Sequence, residues 1–227
     1  MKNGQVAYYV DNESHGEDSY LTRIIDNDSC FDAVMDGLTD CEGDYASDFV
    51  AKTLATSPIT DFAGLISALD KANDALFLGG AGRSLLTTVS VTLKLDRQLH
   101  VVNAGDSPVY LIRNGGKQIM KLAAAIKSRI LVTLMANVVG KHAAFKYEYH
   151  NQTLLPGDRL ILATDGITNN LSVQDIGDII GNSFTPEEAC NKLKTSIESK
   201  RTQGLGLREF YGTFRDDDRT AIIRFFD

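Results

Sequence analysis

Three apolar runs in this chain lead into or out of acidic residues at positions where chemistry could be done. Cys30-Phe31-Asp32-Ala33-Val34-Met35 runs into Asp36-Gly37, Arg159-Leu160-Ile161-Leu162-Ala163-Thr164 runs into Asp165-Gly166, and Asp216-Asp217-Asp218 immediately precedes the terminal run Thr220 to Phe226. A fourth acidic pair, Glu17-Asp18, stands before Ser19 to Ile25. Carboxylates gathered at strand ends repel one another unless a cation lies among them, and magnesium or manganese takes such oxygen ligands readily. Three acids at three strand ends point to a metal site. Asp-Gly also marks ordinary turns, so a single pair would carry little.

The surrounding pattern supplies elements able to position these acids. Val6 to Val10 and Ser19 to Ile25 read as strands. The turn Asp26-Asn27-Asp28-Ser29 then returns the chain antiparallel, bringing Asp36 back toward Asp18. Ala46, Phe49, Val50 and Leu54 follow helical spacing, as do Phe62, Leu65, Ile66, Leu69, Ala72 and Leu76, with Pro58 between the two helices and Gly79-Gly80 after the second. Val89 to Leu95 and Leu99 to Asn103 alternate as a hairpin, and Val109 to Ile112 is expected to extend it to three antiparallel strands. Leu122 to Val139 has a helical face at Ile126, Ile130, Leu134 and Val138, and Phe145 to Tyr149 alternates like a strand. Ser172 is suited to cap a short helix, and Thr185-Pro186-Glu187-Glu188 to open a longer one. Antiparallel sheets with helices packed outside follow from this order. Gly79-Gly80-Ala81-Gly82-Arg83-Ser84 lacks the lysine of a phosphate loop and precedes a strand, so it reads as a connector.

Composition narrows the choices. At 227 residues and 43% hydrophobic content, with no shift in composition along the chain, residues 1–227 are expected to form one domain. A net charge of -7 argues against a nucleic-acid surface spread over the fold. The three cysteines, Cys30, Cys41 and Cys190, form no CxxC pair, which disfavours a disulfide framework or structural zinc and fits a reducing cytoplasmic home. The N-terminus lacks a signal-peptide core, and Lys127, Ser128 and Arg129 interrupt the longest apolar stretch, so no membrane association is expected. No acid occurs from Ser107 through Tyr147, where Lys117, Lys121, Lys127, Arg129, Lys141 and Lys146 make the one strongly basic region. That region is either a solvated face or a substrate-facing one.

In order, Glu17-Asp18, Met35-Asp36-Gly37, Ala46-Ser47, Thr87-Thr88, Asn103-Ala104-Gly105-Asp106-Ser107, Ala163-Thr164-Asp165-Gly166 and Asp217-Asp218-Arg219-Thr220 resemble the metal-dependent protein serine/threonine phosphatases of type 2C (the PPM family) along nearly the whole chain. The resemblance implies an α+β fold, a four-layer α-β-β-α sandwich of two central antiparallel sheets flanked by helices. It implies two manganese or magnesium ions at one edge of the sheets. By motif position Asp36 would bridge them, the Gly37 carbonyl would complete one shell, Asp165 and Asp217 would bind the other ion, and Asp18 would hold metal-bound water. Asp106 matches a ligand of a third, weaker ion in bacterial relatives, and residues 117–146 match the mobile flap. That flap has no carboxylate here, so the third site is incomplete. The implied reaction is hydrolysis of phosphoserine or phosphothreonine on proteins by a hydroxide shared between the two ions, with a phosphoprotein substrate and a cognate kinase as partners. A sporulation and stress-response branch acting on anti-sigma-factor antagonists falls within the same resemblance.

The chain departs from the family pattern in three places. Leu38 stands where many members carry a proton-donating histidine, no phosphate-gripping arginine occurs in Asp11-Asn12-Glu13-Ser14-His15, and the usual double glycine is replaced by Thr39-Asp40-Cys41-Glu42-Gly43. These departures motivate a second reading, a pseudophosphatase that binds phosphoproteins with little turnover.

Overall fold

A computed structural model describes residues 1–80, 84–123, 137–204 and 213–227. Among the described residues, ten strands divide into two antiparallel sheets. The first takes β1 (Gln5–Asp11), β10 (Arg219–Phe225), β9 (Arg159–Ala163), β6 (Val109–Arg113) and β7 (Gln118–Ala123) in that order. The second takes β2 (Asp18–Ile24), β3 (Ser29–Asp36), β4 (Val89–Leu95), β5 (Gln98–Ala104) and β8 (Glu148–Thr153). Helices α1 (Gly43–Thr56) and α2 (Phe62–Gly79) cover the second sheet. The short α3 (Asp165–Thr168), with α4 (Val173–Gly181) and α5 (Pro186–Gln203), covers the first.

The two-residue period of the strands builds three apolar layers. On β3, Phe31, Ala33 and Met35 pack against Val50 and Leu54 of α1 and Leu65 and Leu69 of α2, whereas Val34 points inward between the sheets. On β9, Ile161 and Ala163 meet Ile176, Leu193 and Ile197 on the other outer face, whereas Leu160 and Leu162 join Val101, Leu111 and Ile222 in the middle layer. This is the expected four-layer sandwich. Helix entries follow the sequence signals. Ser172 and Asp175 form a reciprocal capping box on α4, and the Thr185 hydroxyl accepts from the Glu188 N–H at the start of α5.

Three local expectations are corrected. β6 does not extend the β4–β5 hairpin; after Ala104 the chain crosses to the other sheet, where β6 pairs with β9 and β7. Alternation fixes a strand's faces and leaves open which sheet it joins. Leu122 and Ala123 close β7 and Val139 bridges Thr87, so neither end of the expected 122–139 helix is helical; residues 124–136 lie outside the described structure. The strand expected at Phe145 to Tyr149 begins only at Glu148, opposite Asn103. The alternation of Phe145 and Tyr147 reflects ring stacking, their centroids 5.3 Å apart, on the edge of the α2 core.

Candidate active site

The four aspartates expected to serve a metal site, Asp18, Asp36, Asp165 and Asp217, meet at one end of the sandwich because strand ends from both sheets converge there. Asp18 opens β2 and Asp36 closes β3, and the two are direct cross-strand partners. Asp165 is the first residue of α3, immediately after β9, and Asp217 lies two residues before β10, which pairs with β9. One hydrogen bond ties the sheets together here: the Thr164 hydroxyl donates to Asp18 Oδ2 at 2.8 Å, while it accepts from the Thr220 N–H at 2.9 Å.

Paired threonines fix the backbone of Asp36. Its N–H donates to Thr88 Oγ1 at 3.1 Å, and its carbonyl accepts from the Thr88 N–H at 2.8 Å and the Thr87 hydroxyl at 3.0 Å. Thr88 in turn shares a hydrogen bond with the Ser107 hydroxyl, 3.1 Å away, which links the Gly105-Asp106-Ser107 turn to Asp36. The Thr87-Thr88 motif thus holds the main chain of Asp36 in place.

Gly37 and Gly166 do more than turn the chain, since neither has a positive φ. A Cβ on Gly37 would lie 2.3 Å from the Gly43 carbonyl, and one on Gly166 would lie 2.0 Å from the Asp218 carbonyl oxygen. At both positions the glycine admits another backbone segment, bringing α1 up to Asp36 and the Asp216–Asp218 segment up to Asp165.

Asp218 has a part that the sequence reading did not separate from its neighbour Asp217. Its Oδ1 accepts from the N–H groups of Ser14 (3.1 Å) and His15 (3.0 Å), and its Oδ2 from that of Glu17 (2.7 Å). The buried carboxylate therefore holds the loop that delivers Asp18. Asn12 supports the same segment by donating to the Asp18 carbonyl at 2.8 Å.

The convergence has an electrostatic consequence. Burial, followed by the charges of Asp18, Asp165, Asp106 and Asp217, raises the Asp36 carboxyl well above its ordinary range. Burial is also the main cause that raises Asp18 from 3.8 to about 7, with the Thr164 and Thr220 hydroxyls opposing it and Asp218 and Asp165 adding to it. Asp217 is raised by burial and by Asp165, against Arg215 and His15. Around this group, Asn169 donates to Asp165 Oδ2 at 2.8 Å and His15 Nδ1 stands 3.4 Å from Asp217 Oδ1. Arg215 reaches both carboxylates, its Nη1 3.7 Å from Asp165 and its Nε 3.7 Å from Asp217. Two cavities of about 340 and 300 Å³ lie elsewhere, one beside Tyr45 and Leu85 and the other beside Tyr9 and Ile197.

Comparison with known proteins shows the family and the fold. The family model for stage II sporulation protein E (SpoIIE), a type 2C-like phosphatase family, matches residues 46–223. The chain belongs to this family. Its fold is that of solved bacterial serine/threonine phosphatases. It is similar to Stp1 from Staphylococcus aureus (TM-score 0.80, 17% identity, 100% of this chain and 98% of that one). It is also similar to the PPM Ser-Thr phosphatase MsPP from Mycobacterium smegmatis, solved in complex with cacodylate (0.77, 22%, 100% of both chains). A third match is PppA of Pseudomonas aeruginosa, described as a key regulatory component of T6SS (0.76, 20%, 98% and 97%). No curated protein matches the chain.

For a SpoIIE-family chain the decisive chemical question is whether these residues suit divalent cations. Among the described residues no group of three or more His, Cys, Asp or Glu side chains is preassembled in metal-holding geometry. The donor set nevertheless fits. It consists of carboxylate oxygens, which suit hard cations, and they raise one another's proton affinity. Asp18 Oδ1 is buried with no well-aligned hydrogen bond among the described residues, and the Thr220 hydroxyl stands near enough to favour the charged form of the carboxylate. A buried carboxylate oxygen in that condition is strongly disfavoured unless a proton or a cation meets it. Leu38, half-buried beyond Gly37, offers no proton at the position where many type 2C members have histidine.

Proposed function

We propose that this SpoIIE-family chain hydrolyses phosphoserine and phosphothreonine on proteins in a reaction dependent on two manganese or magnesium ions. The observation that carries the reading is the convergence of Asp18, Asp36, Asp165 and Asp217 from both sheets, each raised carboxyl among them owing part of its shift to the others. Asp36 would lie between the ions with the Gly37 carbonyl beside it, Asp165 and Asp217 would hold the second ion, and Asp18 would hold its water. Asp106 remains a candidate ligand for a third ion. When bound, two such cations lower the pKa of water and neutralise charge on the phosphoryl oxygens, the two needs of phosphate-ester hydrolysis.

The chain's own residues supply position. Thr87 and Thr88 fix the Asp36 main chain, Thr164 orients Asp18, and Asn169 orients Asp165. No cysteine nucleophile is needed, and burial pushes the Cys30 thiol up to about 11 and that of Cys190 up to about 12, away from reactivity.

A phosphoprotein substrate, a cognate kinase and a cytoplasmic site of action belong to the same proposal, and the SpoIIE match favours the sporulation and stress-response branch. No described helix is long and apolar enough to cross a membrane. The basic residues proposed to receive the phosphoprotein include Lys127 and Arg129, which lie outside the described residues.

The test is hydrolysis of a phosphopeptide panel and an aryl phosphate with manganese, with chelator, and with Asp36→Asn. Loss of an outer partner of a metal ligand typically lowers activity ~10–100-fold. Loss of the bridging ligand should exceed that, and full activity in chelator or in Asp36→Asn would overturn the mechanism. Phosphopeptide binding without turnover and without manganese uptake would support the pseudophosphatase instead.

A further inference from the structure

Three arginines among the described residues sit in tight pairs with aspartates. Arg113 grips Asp158 at 2.6 and 2.9 Å, Arg219 meets Asp11 at 2.6 Å and Asp216 at 2.5 Å, and Arg224 forks onto Asp32 at 2.7 Å twice. These are closed structural pairs in which the arginine side chains are buried, with Asp216 the one exposed partner. Arg215 differs. Its two carboxylate contacts, at 3.7 Å each, are too long for hydrogen bonds, and its side chain is 57% exposed.

The backbone beneath that loose side chain is held firmly. Asn170, fully buried, accepts from the Arg215 N–H at 3.0 Å and donates to the Arg215 carbonyl at 2.8 Å. The same amide nitrogen donates to the Gly166 carbonyl at 3.0 Å, so residue 215 is referenced directly to the α3 turn that carries Asp165. A fixed root with an uncommitted guanidinium beside the acid cluster is the arrangement expected of a ligand-binding arginine. The cluster's substrate would be a dianion, and guanidinium donors match phosphoryl oxygens in pairs.

We propose that Arg215 is the phosphate-gripping side chain of this site, standing 3.7 Å from Asp165 and from Asp217 and free to meet phosphate once cations occupy those carboxylates. It takes the part for which the sequence around Asp11 to His15 has no arginine. The assignment rests on reading the acids as a cation site.

Calorimetry on the full chain separates the two ideas, titrating manganese first and inorganic phosphate second into wild type, Arg215→Ala and Arg215→Lys. Arg215→Ala removes a competitor for Asp165 and Asp217, so manganese should bind as tightly as in wild type or more tightly. Phosphate should bind the loaded variant at least ~10-fold more weakly, with Arg215→Lys between the two, because a charge-assisted pair to phosphate is lost. In parallel, the Michaelis constant for a phosphopeptide should rise by at least a similar factor, with a smaller fall in kcat. Unchanged phosphate affinity in Arg215→Ala would overturn the proposal, as would parallel weakening of manganese and phosphate, which would mark a structural role. Wild type that takes up manganese and no phosphate overturns the Arg215 assignment alone. Wild type that takes up neither overturns the cation reading and the assignment with it.

Discussion

Asp32 and Arg224 form a doubly hydrogen-bonded ion pair between the two sheets, with both side chains almost completely buried. Each lies on the inward face of its strand, Asp32 beside Val34 on β3 and Arg224 beside Ile222 on β10, and Arg224 also donates to the Asn3 carbonyl at 2.8 Å. β3 ends in Asp36, and β10 is preceded by Asp217, so this pair helps fix how the two halves of the acid cluster face each other. Removing one partner leaves a buried charge uncompensated, and Arg224→Met or Asp32→Leu alone should destabilise by about 3–5 kcal/mol in denaturant unfolding. The double variant should recover much of that loss, because apolar replacement of both partners removes the orphaned charge.

Asp18 gives the metal-free protein a specific pH dependence. A carboxyl raised from 3.8 to about 7 favours the protonated folded state. Its contribution to stability is fully present below the unfolded value of 3.8 and is lost as pH rises through about 7. In metal-free thermal melts, Asp18→Asn should therefore gain on wild type progressively across that window. Asp36 and Asp217 are raised in the same direction, so the variant flattens the slope without abolishing it. Added manganese should raise the wild-type melting temperature most at neutral pH, through preferential binding to the folded state. Asp18→Asn that loses stability relative to wild type as pH rises would contradict the burial of this carboxylate.

Gly166→Ala tests close approach. The new Cβ would stand 2.0 Å from the Asp218 carbonyl oxygen, a backbone atom that cannot rotate away. Destabilisation of about 1–3 kcal/mol is expected from such overpacking, with weakened manganese binding as the segment carrying Asp217 moves. Gly79→Ala is the control, because a Cβ there has nothing within 4 Å. At the end of α2 it should be neutral or stabilise by up to about 1 kcal/mol.

Asp218→Ala should release the Ser14 to Glu17 loop. Three N–H groups lose one carboxylate, and hydrogen bonds to charged groups contribute about 1.5–3 kcal/mol each before compensation by water. Faster amide exchange at Ser14, His15 and Glu17 should accompany reduced affinity for manganese, since the same loop delivers Asp18. Unaltered exchange at those amides would remove Asp218 from this role.

Much was legible in the linear pattern because strands and helices declare themselves by period. Alternation at Phe31, Ala33 and Met35 named the outward face of β3, and the antiparallel return after Ile24 put Asp36 opposite Asp18. The order of the acidic motifs was enough to suggest the family and its sandwich. Other features left no local trace. β6 alternates equally well in either sheet, and only the partners available after Gly105 decide that it joins β9. Asp32 reads as a polar interruption in a buried strand until Arg224, almost two hundred residues away, neutralises it.

By itself, then, the sequence determined which residues line each face of each element and which acids end or precede the strands, since both are local consequences of backbone geometry. Tertiary structure alone decided that Asp218 anchors a loop while its neighbour Asp217 faces the site, that Gly166 admits a backbone, and that Arg215 stands over two carboxylates. Those facts depend on contacts between segments distant in the chain, and no local period encodes them.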